Sequence, residues 1–185
     1  MLLVWRNIVN IIWNPMNFWV WTIETLVMGI MIVMVFWKLE YDLKGVKDRA
    51  GAMFFICINQ MVWAVFGTIL TFEMEYFVFL REYDDKTYGI VPYFLTKTII
   101  EIPFMFIFPI VFTAITYFAI GYEADVDKFF FFAFAMCMIV ICGASYGLVI
   151  SAIFKHNAYN FVTMLMFPLV LFGGFFANSG DYPGY

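Results

Sequence analysis

Charge is what this sequence has least of. Only 13% of its 185 residues are charged and 65% are hydrophobic, against about a quarter charged and about half apolar in a soluble domain. A mean hydropathy of +0.90 excludes an ordinary water-soluble globule, because a chain of this length has too little interior to hide so much apolar surface. No run of like charge is present. The 14 acids and 10 bases, net -4, are scattered through short segments, which removes the basic footprint of a nucleic-acid binder. Cysteine is scarce as well: Cys57, Cys137 and Cys142 lie inside apolar runs. Their odd number and the lack of a Cys-x-x-Cys spacing exclude a disulfide framework and a zinc site, leaving small packed hydrophobes. The single histidine, His156, has no second ligand nearby and reads as a solvated loop residue. With no Walker A loop, nucleophile elbow or metal-ligand pair, no catalytic residue and no metal site is expected. Residues 1–4 carry no basic region before them and no small-residue cleavage pattern after them, so no signal peptide is read.

What is present is a series of long apolar windows. Residues 16–37 contain Glu24 as their only Asp, Glu or Arg side chain, and their 22 positions span about 33 Å as a helix, enough for a hydrocarbon core of about 30 Å. Residues 51–72, 102–122, 129–154 and 157–180 contain no Asp, Glu, Lys or Arg. Five spanning helices are expected, at about 16–37, 51–72, 99–122, 129–154 and 157–177. Helices rather than a barrel follow from the missing two-residue alternation and from the need to satisfy backbone groups where water is absent. The fold class is an all-α, polytopic transmembrane helical bundle of an integral, multi-pass membrane protein.

Ahead of the first span, Arg6, Asn7, Asn10 and Asn14 share one helical face among Val4, Trp5, Ile8, Ile11, Ile12 and Trp13. Residues 1–15 therefore read as an amphipathic helix lying in the interface, with Asn14-Pro15 as cap and first-turn proline of the next helix. Trp13, Trp19, Trp37, Tyr41, Tyr93, Tyr122 and Tyr159 collect near span ends as an aromatic belt. Five spans put the termini on opposite sides. Arg6, Arg81, Lys86, Lys97 and Lys155 on one side balance Lys38, Lys44, Lys47, Arg49 and Lys128 on the other, so charge bias does not orient the chain.

A few residues stand out against this background. Asn59 and Gln60 lie in the middle of the second window, where an unpaired amide is costly, so they face another helix or a wet cavity. Interhelical hydrogen bonding and substrate contact both remain open for them. Gly143, Gly147 and Ser151 recur every four residues, a stripe that lets another helix approach closely. Pro103, Pro109 and Pro168 remove helix hydrogen bonds and introduce kinks or hinges. The stretch 73–101 holds the densest charge and reads as the longest piece outside the membrane. Within it Lys97 and Glu101, one turn apart, form a weak helical pair. Glu24 and Glu101 would be the working groups of a proton-coupled carrier or channel. A non-transporting subunit or scaffold would need only the packing stripe and the apolar faces.

The order of local features resembles a known family. Gly51-Ala52-Met53-Phe54-Phe55 followed by Asn59-Gln60, Phe79-Leu80-Arg81-Glu82, the run from Tyr93 through Lys97 and Glu101 to Pro103, Pro-Ile-Val-Phe-Thr at 109–113, and Pro168 to Asn178 with its Phe-Gly-Gly-Phe-Phe together resemble the membrane domain of the ABC transporter G subfamily, the White-type half-transporters. The likeness runs nearly end to end. It implies a six-helix exporter domain joined to a cytoplasmic nucleotide-binding domain, working as a homo- or heterodimer among membrane lipids, in the plasma membrane or an internal one. ATP and Mg are implied for the nucleotide-binding domain and none for this chain. The expected cargo is a lipid, sterol, pigment precursor or other hydrophobic molecule.

Relative to that pattern, the nucleotide-binding domain and the sixth helix are missing, so the sequence reads as a fragment, with 181–185 beginning an extracellular loop. The resemblance makes residues 1–15 the connecting helix and 76–96 a cytoplasmic loop that receives force from the ATPase. By the same likeness, Asn59, Val62, Trp63, Phe66, Thr163 and Phe167 become candidate substrate contacts on the second and fifth helices. Some drug-exporting relatives carry a phenylalanine about three residues past the Asn59 position, whereas Val62 and Trp63 stand here. Glu75, Arg81 and Glu82 become candidate ATPase-coupling residues. Gly143, Gly147, Ser151, Pro103, Pro168, Gly173 and Gly174 are assigned to helix packing or gating.

Overall fold

The computed structural model describes residues 16–37, 43–86, 89–122, 125–154 and 157–171. All the regular structure among them is helical: α1 (Met16–Val35), α2 (Leu43–Asp84), α3 (Ile90–Ile120), α4 (Val126–Phe154) and α5 (Ala158–Leu171). In α2, α3 and α4 the length and apolar composition suffice to cross a membrane. α1 and α5 contribute shorter apolar stretches among the described residues. Large apolar side chains such as Ile107, Phe131, Val149 and Ile153 are exposed along these helices, a surface that lipid, not water, solvates favourably. The chain is an all-α membrane protein.

Helix limits and membrane limits differ. α2 has 42 residues, about 63 Å at helical rise, twice a hydrocarbon core. Its charged ends, with Asp48 and Arg49 at one and Glu73 to Asp84 at the other, thus continue the helix beyond the apolar window. α3 begins at Ile90, nine positions before the expected 99. The expected loop 76–96 is therefore mostly helical, with only residues 85–89 between α2 and α3. Glu, Lys, Arg, Leu and Met are good helix formers, so a change from apolar to charged side chains marks a change of surroundings, not an end of helix. Residues 1–15, 172–177 and 181–185 lie outside the described residues.

Two compact units make up the chain: residues 1–40 with 75–138, and residues 41–74 with 139–185. In the first, α1 packs against α3. Trp21 meets Phe108 at 5.5 Å between ring centroids, and Gly29 lets Ile115 and Phe112 approach. α3 stays helical through Pro103 and Pro109 and ends at Gly121, whose φ of 82° is left-handed. The N–H groups of Gly121 and Tyr122 both turn back to the Tyr117 carbonyl, closing the helix as glycine caps do. Tyr117 then packs on Phe129 and Phe132 of α4.

In the second unit, Val65 and Ile69 of α2, Ile150 of α4 and Ala158, Val162 and Met166 of α5 form one buried cluster. Hydroxyls are carried within the helices by bonding to the carbonyl four residues back. Thr68 donates to Ala64, Thr71 to Gly67, Ser145 to Ile141 and Thr163 to Tyr159, at 2.8–2.9 Å. Such bonds satisfy a polar group without a partner helix.

Candidate functional site

Two groups of candidate residues are assembled, one in each unit. In the unit of residues 41–74 and 139–185, Asn59, Val62, Trp63 and Phe66 occupy successive turns of α2 and are all partly buried. Phe66 lies 5.1 Å from Tyr159 of α5, ring to ring, and flanks the apolar cluster. Thr163 and Phe167 follow Tyr159 at four-residue steps along α5. All three are exposed, Phe167 at 70%. Thr163 spends its proton on its own helix, so toward any ligand it offers an acceptor oxygen. The amide Nδ2 of Asn59 and the indole Nε1 of Trp63 are closed off from solvent without a hydrogen-bond partner. Gln60 is buried at 6%, so the two adjacent amides stand in different surroundings.

Gly143 and Gly147 bring α4 onto α2 backbone to backbone. A Cβ added at Gly143 would sit 3.0 Å from the Met61 carbonyl oxygen, and one at Gly147 only 2.8 Å from that of Val65. Ser151 continues the stripe at 1% exposure. Pro168 lies exposed within α5, which remains helical to Leu171. Gly173 and Gly174 lie outside the described residues.

In the unit of residues 1–40 and 75–138, Glu75, Arg81 and Glu82 occupy the last turns of α2, Arg81 exposed and Glu82 partly buried. Glu75 is the anchor of a polar cluster that the sequence pattern does not announce. Its Oε2 accepts from the Lys97 ammonium at 2.6 Å and from the Tyr93 hydroxyl at 2.9 Å. Lys97 is 7% exposed and reaches Glu101 at 3.5 Å. The pairing of Lys97 with Glu101 read from sequence is therefore its longer contact. The shorter one ties the first turns of α3 to α2, 22 residues away in the chain. Phe79 packs at a tilt on Tyr93, 4.5 Å between ring centroids, beside it. A buried ammonium needs such partners, because desolvating a lone charge is expensive. The one sequence signal was Lys97 itself, a lysine near a span end; its partner comes from the fold alone. Pro103 lies exposed two positions beyond Glu101.

Chemically, neither group is a catalytic constellation. The first offers apolar and aromatic walls with two unmet N–H donors. The second is an ion-paired clasp between successive helices.

The ABC-2 type transporter family model matches residues 1–185. Protein white of Drosophila melanogaster is 35% identical over 98% of this chain, and Protein white of Ceratitis capitata is 33% identical over the same share. The broad substrate specificity ATP-binding cassette transporter ABCG2 of Mus musculus is 30% identical over 94% of this chain. The match takes up 27% of the length of each of these proteins, so the chain spans about a quarter of the curated relatives it matches. A continuous family match, two apolar helical units and near end-to-end likeness to white and ABCG2 converge: the chain belongs to the ABC-2 type transporter family, as a membrane domain of the ABC transporter G kind.

Proposed function

We propose that this chain is the membrane-crossing part of an ATP-driven exporter that moves a hydrophobic or amphipathic molecule such as a lipid, sterol or pigment precursor. The observation that carries the reading is the family match across residues 1–185, joined to a helical body whose outward side chains are apolar. In this reading five helices of the chain cross the membrane and two such domains pair, each with a nucleotide-binding domain. ATP and Mg belong to that domain. This chain contains no glycine-rich phosphate loop ending in Lys-Ser or Lys-Thr, so its residues do not fit the nucleotide.

The mid-section of α2 and the exposed face of α5 border the substrate path. Phe66, Tyr159 and Phe167 supply apolar contact, while Asn59, Trp63 and Thr163 supply orientation, the division of labour usual in small-molecule sites. Glu75, Arg81 and Glu82 receive the motion of the ATPase. The Glu75–Lys97 clasp hands that motion to α3, since a rigid pair of helices transmits displacement that a loose loop would absorb. Gly143, Gly147 and Ser151 hold α4 on α2, and Pro103 and Pro168 mark where helices bend. The test is uptake of a fluorescent sterol into inside-out vesicles carrying the full-length protein. ATP and Mg must drive it, and flux that persists after ATP depletion and follows a pH gradient would replace the exporter with a carrier working through Glu24 and Glu101.

A further inference from the structure

The strongest unexplained feature is an unmet donor, and its meaning rests on the reading above that the middle of α2 borders the substrate path. Asn59 and Trp63 stand one helical turn apart on α2. Neither Asn59 Nδ2 nor Trp63 Nε1 has a hydrogen-bond partner, and both atoms are closed off from solvent. Folded chains leave few buried polar groups in that state, because an unmet donor loses its water without a replacement. The hydroxyls of the same helix show the usual solution: Thr68 and Thr71 bond to their own backbone.

An indole cannot do so. Its N–H lies at the far edge of a rigid ring, and it is a donor only. The Asn59 amide can present either its nitrogen or its oxygen, so it tolerates partners of both kinds. Trp63 therefore sets the stricter condition: whatever completes it must bring an acceptor. Both side chains are only partly buried as a whole, so rotation about their side-chain bonds can turn the donors outward without unfolding the helix. Residues 51–72 contain no Asp, Glu, Lys or Arg, so this stretch of α2 has no cation to offset the burial of an anion. A neutral acceptor fits and a charged one does not.

We propose that Trp63 is a specificity-determining residue, whose indole N–H selects amphipathic substrates carrying a neutral acceptor oxygen, a ketone or a hydroxyl, over hydrocarbons of the same shape.

The test uses the full-length protein in lipid nanodiscs with two tritiated probes, progesterone and pregn-4-ene, its pregnane skeleton with both carbonyl oxygens removed. Wild type binds the ketone more tightly. Trp63→Phe keeps the aromatic surface and removes the N–H, so binding of progesterone weakens about 3- to 10-fold, the range of one hydrogen bond, while binding of the hydrocarbon is unchanged. Trp63→Tyr restores a donor and recovers part of the preference, which also guards against a folding defect in the phenylalanine variant. In parallel, a cysteine replacing Val62 is reacted with maleimide and read by peptide mass spectrometry; both steroids should protect it. Protection with an unaltered progesterone-to-hydrocarbon ratio in Trp63→Phe overturns the indole assignment alone. Loss of protection overturns the placement of the substrate path on α2. Failure of the wild type to bind either steroid overturns the acceptor-oxygen class.

Discussion

Replacing three glycines by alanine, one at a time, should give effects of opposite sign. In a helix, alanine is intrinsically better than glycine by up to about 1 kcal/mol, so an open position gains stability. At Gly147 the new Cβ would stand 2.8 Å from the Val65 carbonyl oxygen, 3.2 Å from Thr68 Cβ and 3.4 Å from Val65 Cα. Backbone atoms cannot swing aside as a side-chain end can. Reaching an ordinary contact of 3.4 Å requires α2 and α4 to part by 3.4 - 2.8 = 0.6 Å here, which strips neighbouring contacts of dispersion energy. Overpacking costs about 1–3 kcal/mol, and a clash with backbone rather than with a movable side-chain end puts this site at about 2–3 kcal/mol, leaving Gly147→Ala destabilised by about 1–2 kcal/mol after a propensity gain of about 1 kcal/mol.

Gly143 meets the Met61 carbonyl at 3.0 Å and the Ala64 Cβ at 3.2 Å, so its loss is smaller. At Gly29 the nearest atom is Ile115 Cγ2 at 3.4 Å, an ordinary contact with a movable group, so Gly29→Ala is neutral or stabilising. Thermal unfolding of the purified protein in detergent, followed by circular dichroism, should rank the melting temperatures Gly29→Ala above Gly143→Ala above Gly147→Ala. The Gly147→Ala shift is roughly 2 to 8 °C downward at about 2–4 °C per kcal/mol. A Gly147→Ala protein as stable as wild type would refute the close backbone contact.

Lys97→Met leaves Glu75 and Glu101 facing each other without their ammonium. Because the Glu75 side chain is 43% exposed, solvent screens part of the loss, and about 1–2 kcal/mol is expected. A double-mutant cycle with Glu75→Gln should return a coupling of at least about 0.5 kcal/mol, and additive effects would mean that the 2.6 Å contact contributes nothing. Gly121→Ala places a Cβ at a φ of 82° and should cost about 1 kcal/mol in the same melting assay, with Gly121→Asn costing less; equal stability of all three proteins would remove the left-handed cap from the account.

Much of the fold is readable from the distribution of charge, since only helices satisfy their backbone in lipid and windows without Asp, Glu, Lys or Arg mark where lipid lies. The helix ends are not readable in this way. Glu73 to Asp84 changes the solvent around α2 without breaking its hydrogen bonds, so the helix runs on past the apolar window to Asp84. Proline is equally ambiguous in the third window: Pro103 and Pro109 remove helix hydrogen bonds, yet they do not end α3, which runs through both to Ile120.

The candidate groups divide along the same line. Spacing alone marks Gly143, Gly147 and Ser151 as one face, because four-residue steps stay on one side of a helix; that this face meets Met61 and Val65 depends on topology. The period of a helix also says that Asn59 and Gln60 point about 100° apart, but not which one is enclosed. Burial of Gln60 and the unmet Asn59 donor are properties of the packed unit. Lys97 shows the limit most clearly. Its near partner Glu101 is visible in the sequence, whereas the stronger contact with Glu75 requires two helices to be laid side by side.

The most direct test of the account is charge reversal at the end of α2, Arg81→Glu together with Glu82→Lys, in the full-length protein reconstituted into vesicles, with ATP hydrolysis and sterol flux measured on the same preparation. Arg81 is exposed and neither side chain belongs to the buried apolar cluster, so the helices should stay folded, which the melting temperature of the same preparation checks. The coupling role proposed for Arg81 and Glu82 requires that hydrolysis continue while flux is lost; flux that stays in proportion to hydrolysis would contradict it.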